Sequence, residues 1–303
     1  MAIILFINLK GGVSKTTSSV AVAETFANAG KKVLMIDADH QCTAGELLLG
    51  ETRMLKCEKR KKTLHDLLIA LLDDDFNANQ LETFTEKLGS NINDVRENLE
   101  VLPCSIRIDD FITNVAKAKR GYHTNEEFNA IFKRRKAMLR KWLIGSYDHV
   151  IVDCPPSIAM QVKVLLPIAD AFVIPSVPDR LSIRGCISLI DRVRRTGIKT
   201  QPLGILWSLF RKQDRIHCKH VSDAQSMKGV FRVLPKSFKT VIPNAAPIAK
   251  AFQNSENFHS HSAKYTTNGA RLFNQLCQEI DGRLQAEIET NESKWKVWGE
   301  KKN

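Results

Sequence analysis

The sequence predicts an α/β protein: a mostly parallel, twisted sheet with helices on both faces. Three observations carry that prediction. Short, continuous apolar runs recur along the chain, as strands buried on both faces require. Helical patterns separate them, so strand and helix alternate throughout. Two of the runs, V-L-M-I-D and V-I-V-D, close on an aspartate, Asp37 and Asp153. In open parallel sheets the carboxyl ends of the strands are where ligands bind.

Taken in order, Ile3–Ile7 is the first strand; the apolar N-terminus is short and lacks a basic leader, so it reads as a strand and not as a signal peptide. A Gly11-Gly12 turn follows, then a helix from Lys15 to Ala29 stopped by Gly30. Lys32–Ile36 is the second strand. Thr63 caps a helix whose leucines at 64, 67, 68, 71 and 72 form one stripe, ended by Asp73-Asp74-Asp75. Residues 51–98, rich in charge and Asn, are expected to be the least ordered part. Leu99–Leu102 is strand-like, Glu126–Leu143 a basic helix, and His149–Val152 a buried strand. Ala171–Ile174 and Leu203–Leu209 continue the series around a helix at Ser182–Arg195. Val241–Pro243 is expected as a last short strand and Ala270–Ile288 as a long closing helix. The expected organisation is a single domain over 1–290 and a basic, aromatic tail at 291–303.

The chain has 303 residues and a formal net charge of +12. Such an excess points to a polyanionic partner, because phosphate contacts release counterions. It is concentrated: residues 117–141 carry nine Lys/Arg against Glu126 and Glu127, and residues 191–220 carry eight against Asp191 and Asp214. The seven cysteines are scattered, with no C-x-x-C, which argues against a disulfide framework or a zinc site and for a reduced, cytoplasmic setting. No apolar stretch reaches the ~18 residues a membrane span needs. His217, Cys218 and His220 read as part of a basic surface segment, since no fourth ligand is obvious.

Residues 8–17 read N-L-K-G-G-V-S-K-T-T. Set on the phosphate-loop pattern G-x-x-x-x-G-K-[ST], Lys15 and Thr16 fit while Leu9 and Ser14 occupy the glycine positions. A triphosphate with Mg²⁺ needs backbone N–H groups, a lysine, a hydroxyl for the metal and an acid behind the metal's waters. The loop, the strand-end pair Asp37 and Asp39, and Asp153 supply all four kinds of group.

K-G-G-V-S-K-T-T resembles the deviant Walker A motif K-G-G-x-G-K-T-T of the ParA/MinD family of ATPases. D-A-D-H-Q is similar to that family's D-x-D-P-Q, and Y-D-H-V-I-V-D-C-P-P-S to its Y-D-x-h-h-h-D-x-P-P-S. The likeness continues through E-N-L-E-V-L-P-C and A-D-A-F-V-I-P-S-V-P into T-V-I-P-N, so it covers nearly the whole chain, and the ParA branch fits best. Gly11 and Gly12 are then the family's own glycines. Ser14 in place of Gly and His40 in place of Pro are departures from the motif.

The resemblance implies a P-loop NTPase-like fold with ATP and Mg²⁺ as cofactors; no N-K-x-D guanine signature appears. It implies that Gly11, Gly12, Val13, Ser14, Lys15, Thr16 and Thr17 line the phosphates, with Pro243 and Asn244 at the adenine. Thr16, Asp37 and Asp153 are the implied metal-side residues. By the same resemblance, Asp39 is the residue expected to orient the attacking water, Lys15 to contact the β/γ-phosphates, and Lys10 to be the signature lysine that crosses a dimer interface. The implied partners are a second copy of the chain on ATP binding, nonspecific double-stranded DNA and a centromere-binding ParB-like adaptor. Arg192, Arg194, Arg195, Arg211, Lys212 and Arg215 are the implied DNA contacts, with Lys133–Lys136 a second candidate. Since the loop starts at residue 10, the helix-turn-helix extension of the longer ParA type, and with it operator-specific autorepression, is not expected. A MinD-like membrane role for the tail, through Trp295 and Trp298, is the alternative, opposed by its narrow apolar face. Cluster-carrying relatives of the fold need interface cysteines or a C-x-x-C that is not evident here.

Overall fold

Side-chain alternation in the strands sets the architecture. In β1 (Ala2–Phe6), Ile3 and Leu5 join one buried cluster, while Ala2, Ile4 and Phe6 join another. Both faces of such a strand need cover, so it sits inside a sheet clad on two sides. The same division splits β2 (Val33–Asp37), with Leu34 and Ile36 opposite Val33 and Met35. It recurs in β4 (His149–Asp153), with Val150 and Val152 opposite Ile151. Together with β3 (Leu99–Leu102), β5 (Ala171–Ser176) and β6 (Gln201–Trp207) these form one six-stranded sheet in the order β3-β2-β4-β1-β5-β6. Every pair is parallel. The structure is a computed structural model that describes residues 1–253 and 257–300, those from 287 onward by backbone alone.

One face carries α1 (Lys15–Asn28) and α11 (His261–Glu300), with α2 (Thr43–Leu49) and α3 (Glu51–Lys59) beside them. Residues 18–27 of α1 are all buried, because the helix lies between the sheet and α11. It stops where Gly30, at φ 77°, lets its own N–H reach the Ala27 carbonyl and that of Lys31 reach Phe26. The opposite face carries α4 (Leu64–Ala70), α5 (Phe111–Lys119), α6 (Asn125–Ser146), α7 (Met160–Leu165) and α8 (Arg180–Arg195). The α9 helix (Arg215–Gln225) joins this layer, and α10 (Ala246–Lys250) the first.

A buried ion pair ties α1 to α11. Glu24, fully buried, accepts from Lys264 Nζ at 2.8 Å, from Ser90 Oγ at 2.6 Å and from the Tyr265 hydroxyl. Lys264 also donates to Asn91 Oδ1 at 2.9 Å. Each charge is thus paired and hydrogen-bonded, the condition under which a buried ion pair is tolerated.

Several elements differ from expectation for local reasons. Val241–Pro243 is not a strand: Pro243 has no N–H to give a ladder and makes an isolated parallel bridge to Phe210. The segment 51–98 is ordered, because Leu64, Leu67, Leu68 and Leu71 bury their stripe and Arg53 ties down the Leu88 carbonyl at 2.7 Å. Thr63 caps α4 as expected, through the Asp66 N–H. The α8 helix begins earlier than Ser182, capped by Asp179, which accepts the Ser182 N–H at 2.7 Å. The closing helix also begins earlier, at His261, with a break at Thr266 (φ 61°, ψ 163°). The side chains of the 291–303 tail lie outside the described residues, and the tail reading with them.

Candidate nucleotide-binding site

The chain turns from β1 into α1 through a loop held from below. The Asn8 amide donates to the Pro175 carbonyl at 2.7 Å and accepts the Lys10 N–H at 3.1 Å, which fixes the loop to the end of β5. Gly11 and Gly12 are exposed, and a Cβ added to either would meet nothing within 4 Å. Gly12 has φ 70°, where glycine is needed. Ser14 follows at φ 59°, ψ 35°, also left-handed, and makes no side-chain cap bond to α1. A glycine at that position is understandable: a Cβ there costs about 1–2 kcal/mol.

Lys15 is buried and donates to the Lys10 carbonyl at 3.0 Å, closing the loop into a ring. Burial lowers its pKa, opposed by the charges of Asp153 and Asp39. Thr16 donates to Asp153 Oδ2 at 2.6 Å, and the buried Oδ1 of Asp153 has no hydrogen-bond partner among the described residues. Burial pushes Asp153 up to about 7. Its register partner Asp37 is pushed up to about 8 by burial and then by Asp153. Asp37 is also occupied: its two oxygens accept the N–H groups of Asp39 at 3.1 Å and Gly45 at 2.8 Å. Asp37, expected beside the metal, thereby also anchors the loop after β2, and each of its oxygens keeps a lone pair. That loop presents Asp39, which accepts the Gln41 N–H, and His40, whose Nδ1 lies 3.7 Å from Asp39 and 3.8 Å from Asp109.

Pro243 and Asn244 come to the same rim. Ser208, just past β6, donates to the Val13 carbonyl at 2.9 Å, and Phe210 bonds Ile242 and Asn244 on either side of Pro243. Lys10 turns to its own chain: Nζ is 3.2 Å from Asp179 and 2.8 Å from Ser182 Oγ, at the start of α8. Asn8, Ser208 and Asp179 were missed in the sequence because their partners lie more than 160 residues away and no local spacing marks them. A cleft of about 930 Å³ between α2, α3 and the segment Glu86–Arg96 lies away from the loop and takes no part in this site.

The donor set fits a magnesium-bound triphosphate. The open glycine turn at a helix N-terminus suits phosphate oxygens. The Thr16 hydroxyl and the unpartnered Asp153 oxygen are hard ligands of the kind Mg²⁺ takes, directly or through water. Bound there, Mg²⁺ supplies charge neutralisation on the terminal phosphates.

The basic residues do not form one patch. Arg192, Arg194 and Arg195 are exposed in the last turn of α8, which runs back toward the start of the strands. Arg211, Lys212 and Arg215 are exposed just after β6, at the nucleotide end. The 16 residues of α8 put about 24 Å between the two ends of that helix. Arg180, Arg184 and Lys219 share the nucleotide-end groove with His220. In the second candidate, Arg135 is buried on the Leu71 carbonyl and Asp74, which leaves Lys133 and Arg134 exposed. The His217 and His220 rings are taken by the Arg211 N–H and the Pro178 carbonyl.

A family profile described as an AAA domain matches residues 1–202. The chain is 25% identical to the sporulation initiation inhibitor protein Soj of Bacillus subtilis over 92% of its length and 97% of that protein's. It is 24% identical to the chromosome partitioning protein ParA of Caulobacter vibrioides, over 93% and 95%. Its fold matches a plasmid partition protein from Borrelia burgdorferi bound to AMPPNP, with a TM-score of 0.62, 18% identity, and coverage of 94% and 99%. The loop, the strand-end acids and these likenesses agree, and the chain belongs to this AAA-domain family as a ParA/MinD-type ATPase.

Proposed function

We propose that this chain is a ParA-type partition ATPase, which dimerises on ATP, binds DNA without sequence preference and hydrolyses ATP when a ParB-like adaptor stimulates it. The convergence of Lys15, Thr16 and the half-free Asp153 on one glycine turn carries the reading, together with relatives named for chromosome partition along almost the whole chain. Lys15 and the first N–H groups of α1 hold the phosphates, Thr16 and Asp153 the metal side, and Asp39 the attacking water. Lys10 acts across the dimer. Its pair with Asp179 is about one-third exposed, so its release costs about 0–1 kcal/mol and does not bar that movement.

DNA binding is carried by Arg211, Lys212 and Arg215 with their neighbours Arg180, Arg184 and Lys219, while Arg192, Arg194 and Arg195 make a separate contact at the far end of α8. Fluorescence anisotropy on unrelated duplexes, with Mg-ATP, tests this. Affinity should fall steeply from roughly 50 to 200 mM salt, and each phosphate contact removed should reduce the slope by about one. Binding insensitive to salt would contradict the electrostatic reading. Lys10→Ala should keep ATP binding and lose adaptor-stimulated turnover; an unchanged stimulated rate would remove the cross-dimer role.

A further inference from the structure

The departure from the motif at residue 40 places His40 where the turn after β2 meets the segment after β3, two strands that pair in the sheet. The turn is fixed through its backbone. The Ala38 carbonyl accepts from Gln161 Nε2 at 3.0 Å, and the Asp39 carbonyl accepts the Cys42 N–H at 2.9 Å. The Asp39 side chain is held less firmly: Oδ1 accepts the Gln41 N–H at 3.1 Å, and Oδ2 accepts no hydrogen bond among the described residues.

The segment after β3 is a fixed post. Its short helix, Ile106–Asp110, is capped by Ser105, whose Oγ accepts the Arg107 N–H at 3.1 Å. Ile108 is buried beneath it, and the Arg107 guanidinium reaches Glu58 at 3.0 Å and Asp66 at 3.2 Å. Asp109 projects from this post with its side chain 66% exposed. The Nδ1 atom of His40 lies 3.7 Å from Asp39 Oδ1 and 3.8 Å from Asp109 Oδ1. These are contacts between charges, longer than a hydrogen bond. Among the described residues, no other cationic group lies within 4 Å of either carboxylate.

We propose that His40 is a positioning residue for Asp39. Set between the two carboxylates, its ring ties the Asp39 side chain to the post through Oδ1 and leaves Oδ2 to the attacking water. The ring carries a proton on Nδ1 in the cation and in one neutral tautomer, and the cation adds the opposite charge. Asp109 steadies the ring from a different segment, so it acts on Asp39 through His40. The effect on turnover rests on the proposed role of Asp39; the contact itself does not. Half-exposed pairs hold weakly, which sets the expected effects at about two- to fivefold.

Two measurements on the full-length chain test this. In steady-state Mg-ATP turnover, His40→Ala and Asp109→Asn should each lower kcat about two- to fivefold and leave KM unchanged. The double variant should be no slower than His40→Ala alone, and Asp109→Glu should restore the rate. In amide hydrogen exchange without nucleotide, the Gln41 and Cys42 amides, which bond to Asp39, should exchange faster by the same factor in His40→Ala and Asp109→Asn, with an unchanged urea midpoint. Exchange at these amides that ignores Asp109→Asn overturns the contact. Unchanged kcat in His40→Ala, additive losses in the double variant, or a raised KM in place of a lowered kcat overturns the positioning role. If Asp39→Asn turns over as fast as the unsubstituted chain, the reading of Asp39 fails and the positioning role with it, while exchange still judges the contact.

Discussion

Ser14 shows how one side chain can be carried at some cost. It holds a left-handed conformation at the mouth of α1 without the cap bond that usually rewards a serine there. Ser14→Gly removes the Cβ penalty of about 1–2 kcal/mol and adds about 0.5–1 kcal/mol of unfolded-chain freedom. Urea unfolding should therefore find the variant more stable by about 0.5–1 kcal/mol; a loss would mean that the serine makes a compensating contact. Asp37 and Asp153 give a second prediction. Both have folded-state pKa values raised above 3.8, to about 8 and about 7. Their protonated forms favour the folded chain, so the stability they contribute is complete below the unfolded value of 3.8 and is lost progressively as pH rises from there to the folded values of about 7 and about 8. A divalent cation relieves that loss and displaces the protons. The rise in melting temperature caused by Mg²⁺ should thus be larger near pH 8.5 than near pH 6, and an equal rise at both would show that the cation binds elsewhere.

At the scale of elements, the tie between α1 and α11 is the test of packing. Lys264→Met leaves Glu24 charged and buried beside Ser90 and Tyr265, and should destabilise the chain by about 3–5 kcal/mol in chemical unfolding. A change under about 1 kcal/mol would mean that Glu24 is not charged in the folded chain. Elements were legible where the pattern was local. The strands declared themselves as unbroken apolar runs, and Thr63 and Gly30 marked helix ends by chemistry that acts within a turn. Pro243 misled because an apolar triplet hides a missing N–H. The charge of 51–98 misled because Arg53 spends its guanidinium on carbonyls and Glu86, which composition does not reveal.

At the scale of the whole molecule, the site was legible in part. Lys15, Thr16 and Asp153 could be read because the motif fixes the first two and β4, next to β1, brings up the third. The partner of Lys10 could not, because Asp179 lies 169 residues away. The arginines and lysine implied as DNA contacts are close in sequence, but α8 carries Arg192, Arg194 and Arg195 to one end of the sheet and β6 returns the chain to the other before Arg211, Lys212 and Arg215. In the function proposed above, nucleotide is what joins these parts: a triphosphate at the loop after β1 would position Lys10 for a second copy and so build the DNA-binding dimer. Titration calorimetry of Mg-ATP into the chain, followed by sedimentation of the same sample, tests this most directly. The account predicts one nucleotide bound per chain, a doubling of the sedimenting mass, and loss of both in Lys15→Ala. A folded chain that takes up no Mg-ATP, or binds it equally well without Lys15, would contradict it.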